Sequence, residues 1–178
     1  MNLQQTYQEQ LVPTLKESFG LKNNLSVPRL SKIVLNAGVA EGISNAAVLE
    51  KVQQQLATIS GQKPRITRAK KSISSFKLKE KDQIGVTVTL RGKKAWNYIE
   101  RFVGVVMPRM RDFRGIPIEK FDKSGNYSLG IPEQILFPEI DYAKIDKVRG
   151  LVMTLVIKNS NPEKSKQFME LLGFKFRK

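Results

Sequence analysis

The sequence predicts an α+β fold: a single domain over residues 1–178, with helices packed on one face of a mainly antiparallel sheet and the other face left open. Three observations predict it. Four stretches repeat apolar residues at helical spacing, and five short runs have the composition or alternation of strands. These elements interleave as α-β-α-β-β-α-β-β-α, without linker, repeat or low-complexity segment. A chain of 178 residues that is 40% apolar can also bury a sizeable core.

Leu3, Tyr7, Leu11, Leu15 and Phe19 fall every four residues and predict a first helix that Gly20 closes, with a kink or a short first segment at Pro13. Residues 29–37 alternate, with Ile33, Leu35 and Ala37 on one face and Lys32, Val34 and Asn36 on the other. Ser44 is the expected cap of a second helix carrying Val48, Val52, Leu56 and Ile59 and closed by Gly61. Residues 65–68 form a short strand, and the polar stretch 70–82 reads as an extended loop. In residues 86–91, Val86, Val88 and Leu90 face one way and Thr87, Thr89 and Arg91 the other. A third helix from about Lys93 to Val106 buries Trp96, Ile99, Phe102, Val103 and Val106, and Pro108 ends it. Residues 109–126 look irregular, and 127–131 and 151–158 are strands. Asn161 and Pro162 start the last helix, and Gly173 closes it.

Composition narrows the function. Without Cys, disulfides and thiolate zinc sites are excluded; without His, Ser–His triads and imidazole metal sites go too. No apolar stretch reaches the roughly 20 residues of a membrane span. The start MNLQQTYQEQ has neither the basic opening of a secretory signal nor the pattern of a transit peptide, so a cytoplasmic protein is expected. The basic residues do not line one amphipathic helix, so a membrane partner is not expected.

The formal charge is +15, unevenly spread. Residues 62–79 carry seven Lys or Arg, no acid, and the aromatic Phe76. Residues 91–114 add seven more cations against Glu100 and Asp112. Between 133 and 146 the sign reverses: Glu133, Glu139, Asp141 and Asp146 face only Lys144. An unbalanced cationic tract is what a phosphate backbone neutralises, with release of condensed counterions. The open sheet face would present Lys32, Asn36, Arg65, Thr67, Thr87, Thr89, Arg91, Thr154 and Lys158, again without carboxylates. An ordinary solvated face mixes both signs. Binding of RNA through phosphates, riboses and a few side-chain hydrogen bonds follows, with little base stacking because that face lacks an aromatic pair. Two rival classes are an RNA-acting enzyme using Asp and Glu, and a general DNA binder. Gly38 and Gly42 lie between a strand and a helix but lack dinucleotide-fingerprint spacing, and the 133–146 acids match no calcium loop. No cofactor and no metal are expected.

Five blocks carry a resemblance: Ser60-Gly-Gln-Lys-Pro64, Lys71-Ser-Ile-Ser-Ser-Phe-Lys-Leu78, Val88-Thr-Leu-Arg-Gly92, Arg111-Asp-Phe-Arg-Gly115 and Glu133-Gln-Ile-Leu-Phe-Pro-Glu-Ile-Asp-Tyr142. In this order they resemble the bacterial form of the large-subunit ribosomal protein five family, from Tyr7 to the terminal Phe-Arg-Lys. The resemblance implies a curved sheet backed by helices, and a structural, non-enzymatic role in the cytoplasmic ribosome. It implies 5S rRNA binding in the central protuberance through Asn36, Gln62, Thr67, Thr89 and Arg91, to which Lys32, Lys63, Arg65, Arg68 and Thr87 of the same surface are added. Lys70, Lys71, Ser72, Ser74, Ser75, Phe76, Lys77 and Lys79 would form a loop reaching peptidyl-site tRNA. Arg109, Arg111, Asp112, Phe113 and Arg114, with Glu133, Glu139, Asp141 and Asp146, would form an edge bridging to a basic small-subunit protein. 23S rRNA and neighbouring large-subunit proteins complete the implied partners.

Overall fold

Four helical runs and five strands make up the structure, a computed structural model that describes residues 3–43, 45–110, 113–142 and 145–177. The strands are β1 (Arg29–Gly38), β2 (Arg65–Arg68), β3 (Gln83–Leu90), β4 (Tyr127–Ile131) and β5 (Leu151–Lys158). They hydrogen-bond in the order β2-β3-β1-β5-β4, and β2 runs antiparallel to β3. Each strand but the short β2 alternates buried with exposed or half-buried residues over most of its length, so one face is apolar and the other is not. The α+β class and the element order therefore hold.

The helices are α1 (residues 3–18), α2 (Ala46–Ser60), α3 (residues 92–109) and α4 (Pro162–Leu171). Two of them handle an internal proline the same way. In α1 a π-helical turn, Tyr7–Leu11, leads into Val12–Ser18, with Pro13 in its first turn. In α3 a π turn, Phe102–Val106, follows Gly92–Arg101 and leads into Met107–Arg109 around Pro108. Proline lacks an N–H and crowds the carbonyl four residues back; a π turn just ahead of it changes that register and lets the helix continue. At Pro13 the helix thus continues through a π turn, and Pro108 lies inside a helix that ends one residue later, at Arg109.

Other boundaries differ for local reasons. Ser44 lies outside the described residues; Asn45 caps α2, its Oδ1 accepting from the Ala47 N–H at 3.1 Å. The buried stripe of α2 is Leu49, Val52, Leu56 and Ile59, with Val48 only half-buried. Val103 is also half-buried. At Gly42 a Cβ would stand 2.4 Å from Leu49 Cδ1, so that glycine lets the preceding turn approach the helix.

Contacts cluster into two compact units. The first holds residues 3–33, 91–129 and 154–177. Its core is aromatic: Tyr7 stacks on Trp96 at 5.0 Å and meets Phe168 edge-on, and Phe102 lies against Tyr98 and Phe174. The Tyr7 hydroxyl donates to the Pro28 carbonyl at 2.9 Å, and burial raises its pKa. The 109–126 stretch is less irregular than its composition suggests. Ile116 is buried and bridges to Phe176, and Tyr127 packs on Phe121 and donates to the Pro117 carbonyl. The second unit holds residues 34–90 and 130–153, where α2 covers the apolar side of β3. Leu35, Ala37, Leu56, Ile59, Val86, Val88 and Leu90 are buried there.

Candidate nucleic-acid interface

Register decides what the second unit shows to solvent. Arg65 pairs with Thr87 and Thr67 with Gly85, while Ile66 pairs with the buried Val86. Alternation then places Arg65, Thr67, Thr87 and Thr89 on the side away from α2, together with the exposed Asn36 of β1. Close strand approach accounts for Gly85: a Cβ there would stand 2.6 Å from the Ala37 carbonyl oxygen and 3.1 Å from Thr67 Oγ1.

Some of the expected contact groups already have work in the fold. The Thr87 hydroxyl donates to the Leu35 carbonyl at 3.0 Å, tying β3 to β1. The Gln62 side-chain amide donates to the Thr89 carbonyl at 3.2 Å, and Ser60 Oγ donates to the Gln62 carbonyl at 2.9 Å. These bonds hold the turn after α2 against β3, beyond the end of β2. In the other unit, Lys32 is half-buried on β1, on the face opposite Ile33, and Arg91 is exposed immediately before α3.

The extended-loop expectation for 70–82 needs correcting, because this stretch is a hydrogen-bonded hairpin. The Ala69 N–H donates to the Asp82 carbonyl and the Lys81 N–H to the Ala69 carbonyl. Nearer the tip, Ile73 and Leu78 exchange both backbone bonds, at 2.9 and 3.1 Å, around the tight turn Ser74–Phe76. Side chains lock it: Asp82 Oδ2 accepts from the Lys79 N–H, and Ser72 Oγ accepts from the Glu80 N–H. Lys77 and Lys81 adopt positive φ, 50° and 72°. Phe76, 73% exposed, projects at the tip beside exposed Ser74 and Ser75.

Electrostatics separate this region from the rest of the unit. Lys63, Arg65, Arg68, Lys70, Lys71, Lys77 and Lys79 are all exposed, and none is ion-paired among the described residues. The acidic stretch is treated differently. Asp146 is paired with Arg149 at 2.9 Å; Glu41 joins the same guanidinium at 3.0 Å and also bonds Lys147. The Lys147 ammonium, then Arg149, holds the Glu41 carboxyl below its ordinary pKa, and Arg149 does the same to Asp146. The reading that only Lys144 faces these acids fails for Asp146, whose partner lies three residues on. Glu133 and Glu139 are half-buried and Asp141 is exposed.

Gln134 was absent from the expected site and organises this stretch. Its buried amide donates to the Lys147 carbonyl at 2.8 Å and accepts from the Arg149 N–H, while its own N–H donates to the Arg149 carbonyl at 3.0 Å. A lone glutamine gives no periodic signal, so only the fold reveals this role. Of the other expected edge, Arg109 and Arg114 are exposed and Phe113 is half-buried; Arg111 and Asp112 lie outside the described residues.

Among the described residues no group of three acids could hold a metal ion, and no helix is long and apolar enough to cross a membrane. The family model described as ribosomal protein L5 matches residues 23–79, and that of the family's C-terminus matches 83–176. The large ribosomal subunit protein uL5 of Desulfatibacillum aliphaticivorans is 51% identical over 176 residues, covering 99% of this chain and 98% of that one. Its counterpart in Chloroflexus aurantiacus is 49% identical over 177 residues, covering 99% and 98%. That of Symbiobacterium thermophilum is 47% identical over 175 residues, covering 98% and 97%. With likeness running through both halves, the chain belongs to the bacterial ribosomal protein L5 family, and is a structural, non-enzymatic component of the large subunit of the cytoplasmic ribosome.

Proposed function

We propose that this chain binds 5S rRNA through the open sheet face, reaches peptidyl-site tRNA with the 69–82 hairpin, and meets a basic small-subunit protein through the 133–146 stretch. One observation carries the reading: seven exposed cations, without ion-pair partners among the described residues, sit on one face and one hairpin of a single unit, interleaved with Asn36, Gln62, Thr67 and Thr89. Lysines and arginines without counter-charges attract a phosphate backbone, and the amide and hydroxyls add positional hydrogen bonds. Lys32 and Arg91 extend the 5S rRNA set. The hairpin brings Lys70, Lys71, Ser72, Ser74, Ser75, Phe76, Lys77 and Lys79 to tRNA, its closed backbone lowering the ordering cost of binding. Glu133, Glu139 and Asp141, with Arg109 and Arg114, supply the bridging charges. Each exposed pair is worth about 0–1 kcal/mol, so that contact is soft and reversible. 23S rRNA and neighbouring large-subunit proteins surround the remaining surface.

The test is 5S rRNA affinity of Arg65→Ala at fixed salt. A loss of about 1–3 kcal/mol with an unchanged melting temperature is expected. Unchanged affinity would remove β2 from the interface.

A further inference from the structure

Charge accounts for the lysines of the 69–82 hairpin but not for the aromatic ring at its tip. Of the nine phenylalanines in the chain, Phe76 alone is exposed; the rest are buried or half-buried. Among the described residues it makes no aromatic or cation–π contact, whereas Phe102, Phe121 and Phe168 are each packed against other rings. The backbone beneath the ring is nevertheless fixed. The Phe76 N–H donates to the Ile73 carbonyl at 3.3 Å and the Lys77 N–H to the Ser74 carbonyl at 3.0 Å. Lys77 then closes the turn in the left-handed region, at φ 50°.

A tight turn has no need of an aromatic there, since Gly, Asn, Asp or Ser serve it better. Outside the core the ring buries little apolar area, so only a partner can give it that burial. Its surroundings say which kind of partner. Lys71, Lys77 and Lys79 are exposed on the same hairpin, with the hydroxyls of Ser74 and Ser75 beside the ring. An aromatic face rimmed by cations is the make-up of a stacking platform for nucleic acid, in which the ring takes a base and the cations follow the backbone.

We infer that Phe76 stacks on one outward-facing base of the tRNA, while the flanking lysines hold the phosphates on either side. This rests on the reading of the hairpin as the tRNA contact, and adds to it a contact that is not electrostatic. Bases inside a duplex are covered by their neighbours, so the ligand is a base in a loop or at the end of a stack. Every base has such a face, so the contact tolerates any sequence. That tolerance suits a ribosomal component, which meets tRNAs of many sequences. The fixed turn holds the ring in place beforehand and lowers the ordering cost.

The test measures the affinity of deacylated tRNA for the peptidyl site of ribosomes carrying the variant chain, across a salt series. Phe76→Leu keeps an apolar side chain but removes the π face, and Phe76→Trp enlarges that face. Phe76→Leu should bind tRNA about tenfold more weakly with an unchanged log–log salt slope, because stacking releases no counterions. Phe76→Trp should bind at least as tightly as the unaltered chain. Lys70→Gln/Lys71→Gln/Lys77→Gln/Lys79→Gln should instead reduce the slope by about 3. A loss in the lysine variant with none in Phe76→Leu would overturn the stacking and leave the tRNA reading standing. No loss in either would overturn both. Equal losses in Phe76→Leu and Phe76→Trp would also overturn the stacking, since shape rather than the π face would then decide binding.

Discussion

The basic hairpin and the acidic 133–149 stretch belong to one compact unit and solve opposite problems. In the hairpin, backbone and small polar side chains do the holding: Ile73 with Leu78, Asp82 with the Lys79 N–H, Ser72 with the Glu80 N–H. Its lysines join through their backbone only, and their side chains remain exposed. In the acidic stretch, the charges pair with one another, Arg149 and Lys147 with Asp146 and Glu41, beside the buried Gln134. A region that leaves its cations unused by the fold can spend them on a partner. A region that uses its charges internally has fewer to offer.

This contrast can be broken from either side. The largest effect should come from Gln134→Leu, which leaves the Lys147 carbonyl and the Arg149 N–H without their amide partner. A loss of about 2–4 kcal/mol is expected, lowering the melting temperature by roughly 4–16 °C in calorimetry. Next, replacing Lys70, Lys71, Lys77 and Lys79 by Gln should cost about 0.5 kcal/mol or less of stability. The same variant should weaken tRNA retention on ribosomes about tenfold while leaving 5S rRNA affinity nearly unchanged. A large fall in melting temperature would show that these lysines do hold the hairpin. A smaller effect is expected from Lys81→Gly. At φ 72° a side chain is strained, so glycine should stabilise by about 0.5–1 kcal/mol in denaturant titration, net of its greater unfolded-state freedom.

The smallest effect concerns acid. Glu41 and Asp146 have lowered folded-state pKa values, from hydrogen bonds to Lys147 and Arg149 respectively. Their contribution is therefore complete above the ordinary carboxylate range, and is lost as pH falls below it through the lowered folded-state values. Glu41→Gln/Asp146→Asn should flatten that acid limb in a series of melting curves, leaving the neutral-pH melting temperature little changed because both carboxylates are solvent-accessible.

What could be read in advance follows from what leaves a periodic trace. Alternation located β1 and β3 to within a few residues, because a half-buried strand must repeat every second residue, and β4 and β5 lie where strands were expected. It also placed Asn36, Thr87 and Thr89 opposite the apolar face, as found. The π turn ahead of Pro108 was missed because a breaker rule cannot anticipate a turn that absorbs the proline. The hairpin was missed because Ser72 and Asp82 act through single bonds to backbone, and because two lysines occupy left-handed conformations usually left to glycine. The Asp146–Arg149 pair stands three residues apart without a helix, so helical pairing rules did not find it. Gln134 needed three-dimensional knowledge throughout: its partners are carbonyl and amide groups thirteen to fifteen residues away.

A charge-matched pair of variants tests most directly the proposal that the open face of the second unit binds 5S rRNA. Thr89→Glu puts a carboxylate on the open face, whereas Ala47→Glu puts one on the exposed first turn of α2, where the helix dipole favours it. Both lower the net charge equally. 5S rRNA affinity should fall at least about tenfold for Thr89→Glu, as for a lost contact with added repulsion, and by less than about twofold for Ala47→Glu. Equal losses, or a larger loss for Ala47→Glu, would contradict it.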